Sequence, residues 1–184
     1  MIAVDTNILV YAHRADSPHH KAAASAIKRL AESGAPWAIP WACVHEFLSV
    51  STNPKIFRQP SPSEAVIEQV EIWMECPTLR LLGEPAGYWK ELRAAFLSGK
   101  LSGTQVHDAR IHAICRSNGV RELWSADRDF PGCADSPSSA PAWTRKAGAE
   151  TAGDCSNNVK LAVETEDENR SQSYSGGTFL LCAR

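Results

Sequence analysis

Short runs rich in apolar residues alternate with longer segments of helical periodicity along the first 131 residues of the chain. The short runs have the length of buried strands and lie at residues 2–4, 37–39, 79–82 and 122–125. Apolar side chains recur every three or four positions between them, which predicts helices at 8–12, 19–30 and 88–97, after Pro40, after Ser61 and from Asp108 onward. Alternating strands and helices form βαβ units, so the prediction is a three-layer α/β fold around a parallel sheet of four strands.

Residue types that stabilise helix ends stand before two of these helices. Thr6 or Asn7 can cap the first helix, and Ser61 with Glu64 has the spacing of a capping box. Large apolar residues at helical spacing form one face in each of two helices: Ile67, Val70 and Met74 in one, and Trp89, Leu92 and Phe96 in the other. These faces are the predicted contacts of the two helices with the core.

The composition changes after Pro131. Residues 132–184 contain only eight large apolar side chains among 53 positions, and serine, glycine, threonine and short charged runs dominate. Such a segment buries too little apolar surface to offset its ordering entropy. We therefore predict a domain at 1–131 and a largely disordered tail at 132–184.

Charge and cysteine usage narrow the class of protein. The 184 residues carry 19 basic and 21 acidic side chains, a net charge of −2, so a global basic surface for gripping nucleic acid is absent. The six cysteines show no Cys-x-x-Cys spacing, which indicates reduced thiols used in packing. An acidic residue at position 5 and the lack of an apolar run of about 20 residues argue against a secretory signal or a membrane span. We expect a cytoplasmic protein.

Four acidic residues stand where a predicted strand ends or a predicted helix lies close behind it. They are Asp5, Glu46, Asp108 and Asp127, called the acidic quartet below. The carboxyl ends of parallel strands meet along one edge of an open sheet, so these side chains can converge on one pocket. Clusters of carboxylate oxygens suit Mg²⁺ or Mn²⁺, and paired ions of this kind promote in-line attack on phosphodiesters.

Each of these acids also has an ordinary structural explanation. Asp5 can cap the helix that follows, and Asp108 near a helix start is favoured by the helix dipole. Asp127 and Asp129 can be turn residues after a strand. Glu46 resists such an explanation best, because an acid inside a helix gains nothing from capping.

Four segments, in order, resemble a PIN domain of the VapC toxin type. They are residues 1–9 (Met-Ile-Ala-Val-Asp-Thr-Asn-Ile-Leu), 45–47 (His-Glu-Phe), 106–109 (Val-His-Asp-Ala) and 125–130 (Ser-Ala-Asp-Arg-Asp-Phe). Residues 51–57 also resemble a stretch that recurs in a VapC-like subgroup. Each motif is short, but their order and separation together are specific, and the resemblance covers residues 1 to about 130.

The resemblance implies a Mg²⁺-dependent endoribonuclease, with Mn²⁺ as the alternative ion, which cleaves RNA and is paired with a cognate antitoxin protein. It also implies a homodimer. On the family's pattern the acidic quartet is catalytic, and three of its members hold the metal: Asp5, Asp108 and Asp127. The residues that line or support the site are Thr6, Asn7, Ser125 and Asp129.

The chain departs from the family's pattern after Phe130. A PIN domain continues from this point through a short loop into a fifth strand beside the fourth, whereas residues 131–139 carry no strand signal. The fourth strand is therefore expected to be an unpaired edge. The alternative function is accordingly a non-catalytic PIN-fold protein that captures an antitoxin or RNA. A haloacid-dehalogenase-like phosphatase also begins with Asp after a strand, but it needs a second Asp where this chain has Asn7.

Histidines and arginines near the quartet are open to several interpretations. His45 and His107 each precede a quartet residue, point about 100° away from it on a helix, and are expected to be packing or surface residues. His112 shares a helix face with Asp108, and a plain Asp–His pair is favoured over a role with water or phosphate. Three arginines at the predicted rim are either ligands of RNA phosphates or ordinary solvated charges: Arg14, Arg110 and Arg128.

Overall fold

A sheet with five strands in the order β3-β2-β1-β4-β5 forms the centre of the protein. The computed structural model describes residues 1–98 and 103–126 together with the backbone of residues 144–146. Four strands are parallel and the last is antiparallel to its neighbour: β1 (Ile2–Val4), β2 (Trp37–Pro40), β3 (Leu79–Leu82), β4 (Glu122–Trp124) and β5 (Thr144–Lys146). The predicted α/β class and the four parallel strands are confirmed.

Helices connect the parallel strands, as the alternating pattern predicts. The described helices are α1 (Thr6–His13), α2 (His20–Glu32), α3 (Trp41–Ser51), α4 (Ser63–Met74), α5 (Tyr88–Ser98) and α6 (Gln105–Ser117). The core is formed by the sheet and by α1, α2, α3, α4 and α6, and its fully buried side chains include Val4, Ile39, Phe47 and Ile114. Among the described residues, no helix is long and apolar enough to cross a membrane.

The edge of β4 is paired, contrary to the sequence-based expectation. Thr144–Lys146 runs antiparallel to β4 with Thr144 opposite Trp124 and Lys146 opposite Glu122. Strand pairing uses backbone groups, and three residues are too few to show the alternation by which a strand is recognised in a sequence. The other residues from 127 to 184 lie outside the described part of the chain, and the predicted disordered tail stays a prediction.

The two helix caps considered from the sequence have different outcomes. The N-cap of α1 is Asp5, whose Oδ1 accepts a hydrogen bond from the Thr6 amide at 2.8 Å, so the capping role considered for Asp5 is confirmed and neither Thr6 nor Asn7 is the cap. The capping box predicted for α4 is wrong. The N-cap of α4 is Pro62, without a side-chain hydrogen bond. Ser61 contacts the end of α1 instead, with its Oγ 3.1 Å from His13 Nε2. A tertiary contact has thus replaced the local capping box.

Two predicted apolar faces also differ from the buried ones. The buried residues of α4 are Val66, Val70 and Trp73, whereas Ile67 and Met74 are largely exposed. Helix α5 has no buried residue and packs chiefly on α6. Val66 and Trp73 each lie one position before the predicted residue, a rotation of about 100° that periodicity in an apolar-rich helix cannot resolve.

Candidate active site at the carboxyl edge of the sheet

Asp5 and Ser125 are brought together by the register of two neighbouring strands. Val4 lies opposite Trp124, so the residues that follow them leave the sheet side by side. The backbone continues this register by one bond, since the Asp5 amide donates to the Trp124 carbonyl at 2.9 Å. The Ser125 hydroxyl then donates to Asp5 Oδ2 at 2.6 Å. Asp5 and Ser125, 120 positions apart in the sequence, thus meet at the carboxyl edge of the sheet.

Asn7 links the same two strand ends from the first turn of α1. Its amide nitrogen lies 3.0 Å from Ser125 Oγ and 3.3 Å from Asp5 Oδ2, and donates to both. Its Oδ1 accepts a hydrogen bond from the Ala126 amide at 3.0 Å. Asn7 therefore holds the chain that leaves β4 against the start of α1.

Glu46 is joined to this edge through Thr6. The Thr6 hydroxyl donates to Glu46 Oε2 at 2.7 Å, across 40 positions of sequence. Helix α3 begins directly after β2, which lies beside β1, so its side chains reach the same edge. Thr6 is buried, whereas Glu46 is exposed. The structure therefore places Asp5, Thr6, Asn7, Glu46 and Ser125 in one connected group.

Asp5 is an unusual carboxylate because it is buried and, among the residues that the structure describes, no positive charge is one of the groups that shift its pKa. Its exposed fraction is 4%. Burial raises its pKa from 3.8 to about 6, hydrogen bonds from Ser125 and Thr6 oppose that rise, and the Glu46 charge adds to it. None of these groups is cationic. The site is thus electrostatically suited to a bound cation, which would lower this pKa again.

Two buried thiols lie beneath Asp5, and the sequence interpretation of the cysteines missed their position. The Cys43 thiol donates to Asp5 Oδ1 at 3.7 Å from the first turn of α3. Burial raises the pKa of Cys43 well above its usual value and that of Cys115 to about 12, and the Asp5 charge acts in the same direction on both. Cys43, Cys76 and Cys115 are free and buried, as expected of packing thiols. The sequence signal that could have linked Cys43 to the site is its spacing of three residues from Glu46, which places the two side chains on the same side of a helix.

Asp108 lies in the first turn of α6, half-buried. The helix begins at Gln105, three residues earlier than the sequence suggested. Asp108 is seven residues, or two turns, before Cys115, and therefore shares its face of the helix. Asp127 and Asp129 lie outside the described residues, and their predicted roles stay predictions.

The arginines expected at the rim have other partners where they are described. Arg14 is buried, and its guanidinium binds Asp16, the Gln59 carbonyl and Ser61. It is therefore neither an RNA ligand nor a solvated charge. Arg110 donates to Glu84 at 2.8 Å on the surface. Arg128 lies outside the described residues.

The histidines near the quartet differ in exposure to solvent. His45 and His107 are exposed, as expected of surface residues. Burial lowers the pKa of His112 to about 4, with the Arg116 charge acting in the same direction. His112 is therefore neutral near pH 7 and has no charge with which to hold a phosphate.

The oxygen-rich edge lacks a dense preformed metal cage in the part of the chain that the structure describes. Within residues 1–98 and 103–126, no three Asp, Glu, His or Cys side chains lie close enough together to hold a metal ion. Mg²⁺ is commonly bound through one or two carboxylates and keeps several waters, so it does not require three protein ligands placed together in advance.

A separate groove of about 270 Å³ lies between α1, α2 and α4. Its lining includes Ala24, Ile27, Lys28 and Trp73, and no described member of the acidic quartet.

Comparison of this sequence with known proteins identifies its family. The PIN domain model matches residues 2–135. The ribonuclease VapC48 of Mycobacterium tuberculosis is 33% identical over 127 residues, which cover 68% of this chain and 87% of that protein. The ribonuclease VapC43 of the same organism is 31% identical over 130 residues, 71% of this chain and 88% of that protein.

A solved structure agrees at the level of fold. The crystal structure of Mycobacterium tuberculosis VapC20, a toxin that cleaves the sarcin-ricin loop, superimposes with a TM-score of 0.53 at 17% identity, covering 71% of this chain and 92% of VapC20. An identity this low supports the fold alone. Together with the sequence relatives and the connected group around Asp5, the match means that this chain belongs to the PIN domain family and, within it, to the VapC proteins.

Proposed function

We propose that this protein is a Mg²⁺-dependent endoribonuclease, with Mn²⁺ as the alternative ion, and the toxin of a toxin–antitoxin pair. The observation that carries the proposal is the buried Asp5 carboxylate, whose pKa is set by neutral donors, burial and the Glu46 charge, with no cation among these groups in the described part of the chain. A structural acid would normally be paired or exposed, because an unbalanced buried charge is costly. A divalent cation at the sheet edge removes that cost. Ribonuclease relatives with 31–33% identity support the choice of reaction.

The donor set determines which residues would hold the ion. Asp5, Asp108 and Asp127 are the proposed ligands, because hard divalent cations prefer carboxylate oxygens. When bound, Mg²⁺ lowers the pKa of an attacking water and balances the charge that develops on the phosphate. Cytoplasmic RNA is the substrate class.

The other residues of the connected group accept a proton or hold the catalytic side chains in position. The exposed Glu46 carboxylate is the proposed acceptor of the proton released by the attacking water, and the 2.7 Å hydrogen bond from Thr6 fixes its position. Asn7 and Ser125 tie the ends of β1 and β4 together, which keeps Asp5 aligned with the segment that leads to Asp127 and the supporting Asp129.

Substitution of single carboxylates tests the proposal. Asp5→Asn and Asp108→Asn keep side-chain size and remove the charge that holds the ion, so each is expected to lower Mg²⁺-dependent RNA cleavage by about 100-fold or more. Glu32→Gln is the matched control, since Glu32 is an exposed acid at the end of α2 that pairs only loosely with Lys28. EDTA should abolish cleavage by the wild type.

Wild-type cleavage by either variant at millimolar Mg²⁺ would refute the assignment of the quartet. Cleavage by neither the wild type nor the variants, combined with retained antitoxin binding, would support the non-catalytic alternative.

The proposed partners are an antitoxin protein and a second copy of the chain. An acidic edge with a buried, unbalanced carboxylate attracts an arginine from a partner segment, because a guanidinium binds carboxylates through two hydrogen bonds. A homodimer with one antitoxin per subunit is the expected assembly. Co-expression with the adjacent gene should restore growth and give a complex whose mass is measured by light scattering. Neither rescue nor co-purification would refute the pairing.

A further inference from the structure

The Asp5 carboxylate is surrounded by donors on both oxygens. Oδ1 accepts from the Thr6 amide at 2.8 Å and from the Cys43 thiol at 3.7 Å. Oδ2 accepts from Ser125 Oγ at 2.6 Å and from Asn7 Nδ2 at 3.3 Å. A carboxylate offers about four lone-pair positions. The two oxygens therefore have two donors each, and one of those donors must move before either oxygen can take another ligand.

The donors to the two carboxylate oxygens differ in how easily they can move away. The Thr6 amide belongs to the first turn of α1 and cannot rotate away, and Cys43 is fully buried in α3. The donors to Oδ2 are a hydroxyl, which can turn about its own bond, and an amide that is also held by Ser125 and Ala126. Oδ1 is thus the anchored atom, and Oδ2 is the atom that can be released to a ligand.

The thiol is a donor here and not only a space-filling group. An ordinary cysteine thiol keeps its proton at neutral pH, and the Cys43 sulfur lies 3.7 Å from Asp5 Oδ1 in hydrogen-bonding geometry. A protonated thiol is a weak hydrogen-bond donor, and its most direct acceptor is the charged form of Asp5. Alanine at this position would leave Oδ1 with the Thr6 amide alone.

We propose that Cys43 is a positioning residue for the metal site: its thiol and the Thr6 amide together hold Asp5 Oδ1, which would leave Oδ2 as the oxygen available to the cation. This inference rests on the proposed function, since it assigns a role in binding the ion that function requires. Groups that orient a ligand in this way commonly change metal affinity by about 10- to 100-fold. A thiol is a weak donor, so the lower end of that range applies.

The test compares three variants of the full chain for Mn²⁺ affinity, measured by electron paramagnetic resonance, and for thermal stability. Cys43→Ala is expected to weaken Mn²⁺ binding on the order of tenfold. Cys43→Ser restores a donor and should recover most of that loss, although serine is smaller than cysteine. Cys76→Ala is the matched control: Cys76 is also a buried thiol, but its sulfur lies 3.3 Å from Thr78 Oγ1 near the start of β3. Its affinity should equal that of the wild type.

The outcomes separate positioning from packing. Wild-type Mn²⁺ affinity in Cys43→Ala, with a loss of stability like that of Cys76→Ala, would show that the thiol only fills space and would overturn the inference. Equal losses of affinity in Cys43→Ala and Cys43→Ser would overturn it as well, because the donor would then be irrelevant.

The proposed function fails in a different way. A wild-type protein that binds neither Mn²⁺ nor Mg²⁺ would refute both the metal-dependent activity and the role of Cys43. A wild type that binds Mn²⁺ with the same affinity as Cys43→Ala would refute the inference alone.

Discussion

The two ends of α1 each carry a buried ionisable residue, and the two are treated in opposite ways. Asp5 is the N-cap and Arg14 is the C-cap, and both side chains are nearly inaccessible to solvent. Both charges have the sign that a helix dipole favours at their end. The dipole therefore cannot explain the difference between them.

Arg14 is balanced by its surroundings. Its guanidinium binds the Asp16 carboxylate through two hydrogen bonds, donates to the Gln59 carbonyl at 2.9 Å and lies 4.0 Å above the centre of the Phe57 ring. The pKa of Asp16 is lowered, first by the hydrogen bond from Arg14. This end of α1 ties the loop after α3 to the fold, which is a structural role.

Within residues 1–98 and 103–126, the groups that shift the pKa of Asp5 include neutral donors and no cation, and this pKa is raised to about 6. Burial therefore makes the ionised form of Asp5 costly at the start of the helix, whereas the pair with Asp16 stabilises the charge of Arg14 at its end. The comparison teaches that burial alone does not mark a functional charge. The informative feature is a buried charge whose balancing partner is missing from the groups around it.

The largest effect on stability is expected from removing Arg14. Arg14→Ala takes away the donor to the Gln59 carbonyl and the contact with Phe57, and should lower the free energy of unfolding by about 3 kcal/mol. Arg116→Ala removes an arginine from an exposed pair with Glu91 and should cost less than about 1 kcal/mol. Urea titration measures both. A loss for Arg14→Ala no greater than the control's would show that Arg14 is not the anchor described above.

Substitution of Asp5 is expected to raise the free energy of unfolding, whereas substitution of Arg14 lowers it, when EDTA keeps the protein free of metal. The pKa of Asp5 is higher in the folded protein than its ordinary value of 3.8, so the stabilisation due to the protonated form is complete below pH 3.8 and is lost as pH rises through about 6. Asn mimics the protonated form. Asp5→Asn should therefore match the wild type near pH 3.5 and be more stable by roughly 2–3 kcal/mol at pH 8.

The measurement is the unfolding free energy at several pH values. A variant that is less stable than the wild type at pH 8, or a difference that does not change with pH, would remove the basis for calling Asp5 unbalanced.

The smallest effect is expected at Asp16, with a pH dependence that runs the other way. Its folded pKa is lowered, so its pair with Arg14 stabilises the protein above the ordinary pKa of 3.8 and that contribution is lost as pH falls further. Asp16→Asn should cost less than about 1 kcal/mol at pH 7, because Asp16 is largely exposed, and a smaller amount at pH 3. Equal costs at both pH values would show that the pair contributes no charge interaction.

Much of the framework follows from local patterns in the chain. The four parallel strands, the helices between them and the position of Asp5 at the end of β1 were predicted because each rests on short-range periodicity and chain order. Glu46 in a helix after β2 was predicted for the same reason. The cap of α1 stayed open between Asp5, Thr6 and Asn7, since all three are residue types that cap helices well, and the structure shows that it is Asp5.

Contacts between distant segments were beyond such patterns. Ser61 matched a capping box but binds at the end of α1, because the loop that carries it folds back there. Arg14 had the sequence context of a surface residue, but Phe57, Gln59 and Ser61 of a distant loop contact it in the folded protein. The buried face of α4 was predicted one position out, since neighbouring apolar residues support either choice.

The sequence by itself determined the α/β order, the family and the place of Asp5, Glu46 and Ser125 near the carboxyl edge of the sheet. The tertiary structure decided how those residues are bonded: Ser125 and Asn7 on Oδ2 of Asp5, Cys43 and the Thr6 amide on Oδ1, and Thr6 on Glu46. It also decided that β4 has a partner strand. The physical reason is that strand and helix patterns depend on neighbours a few residues apart. Strand register, burial and charge balance depend on groups brought together from distant parts of the chain.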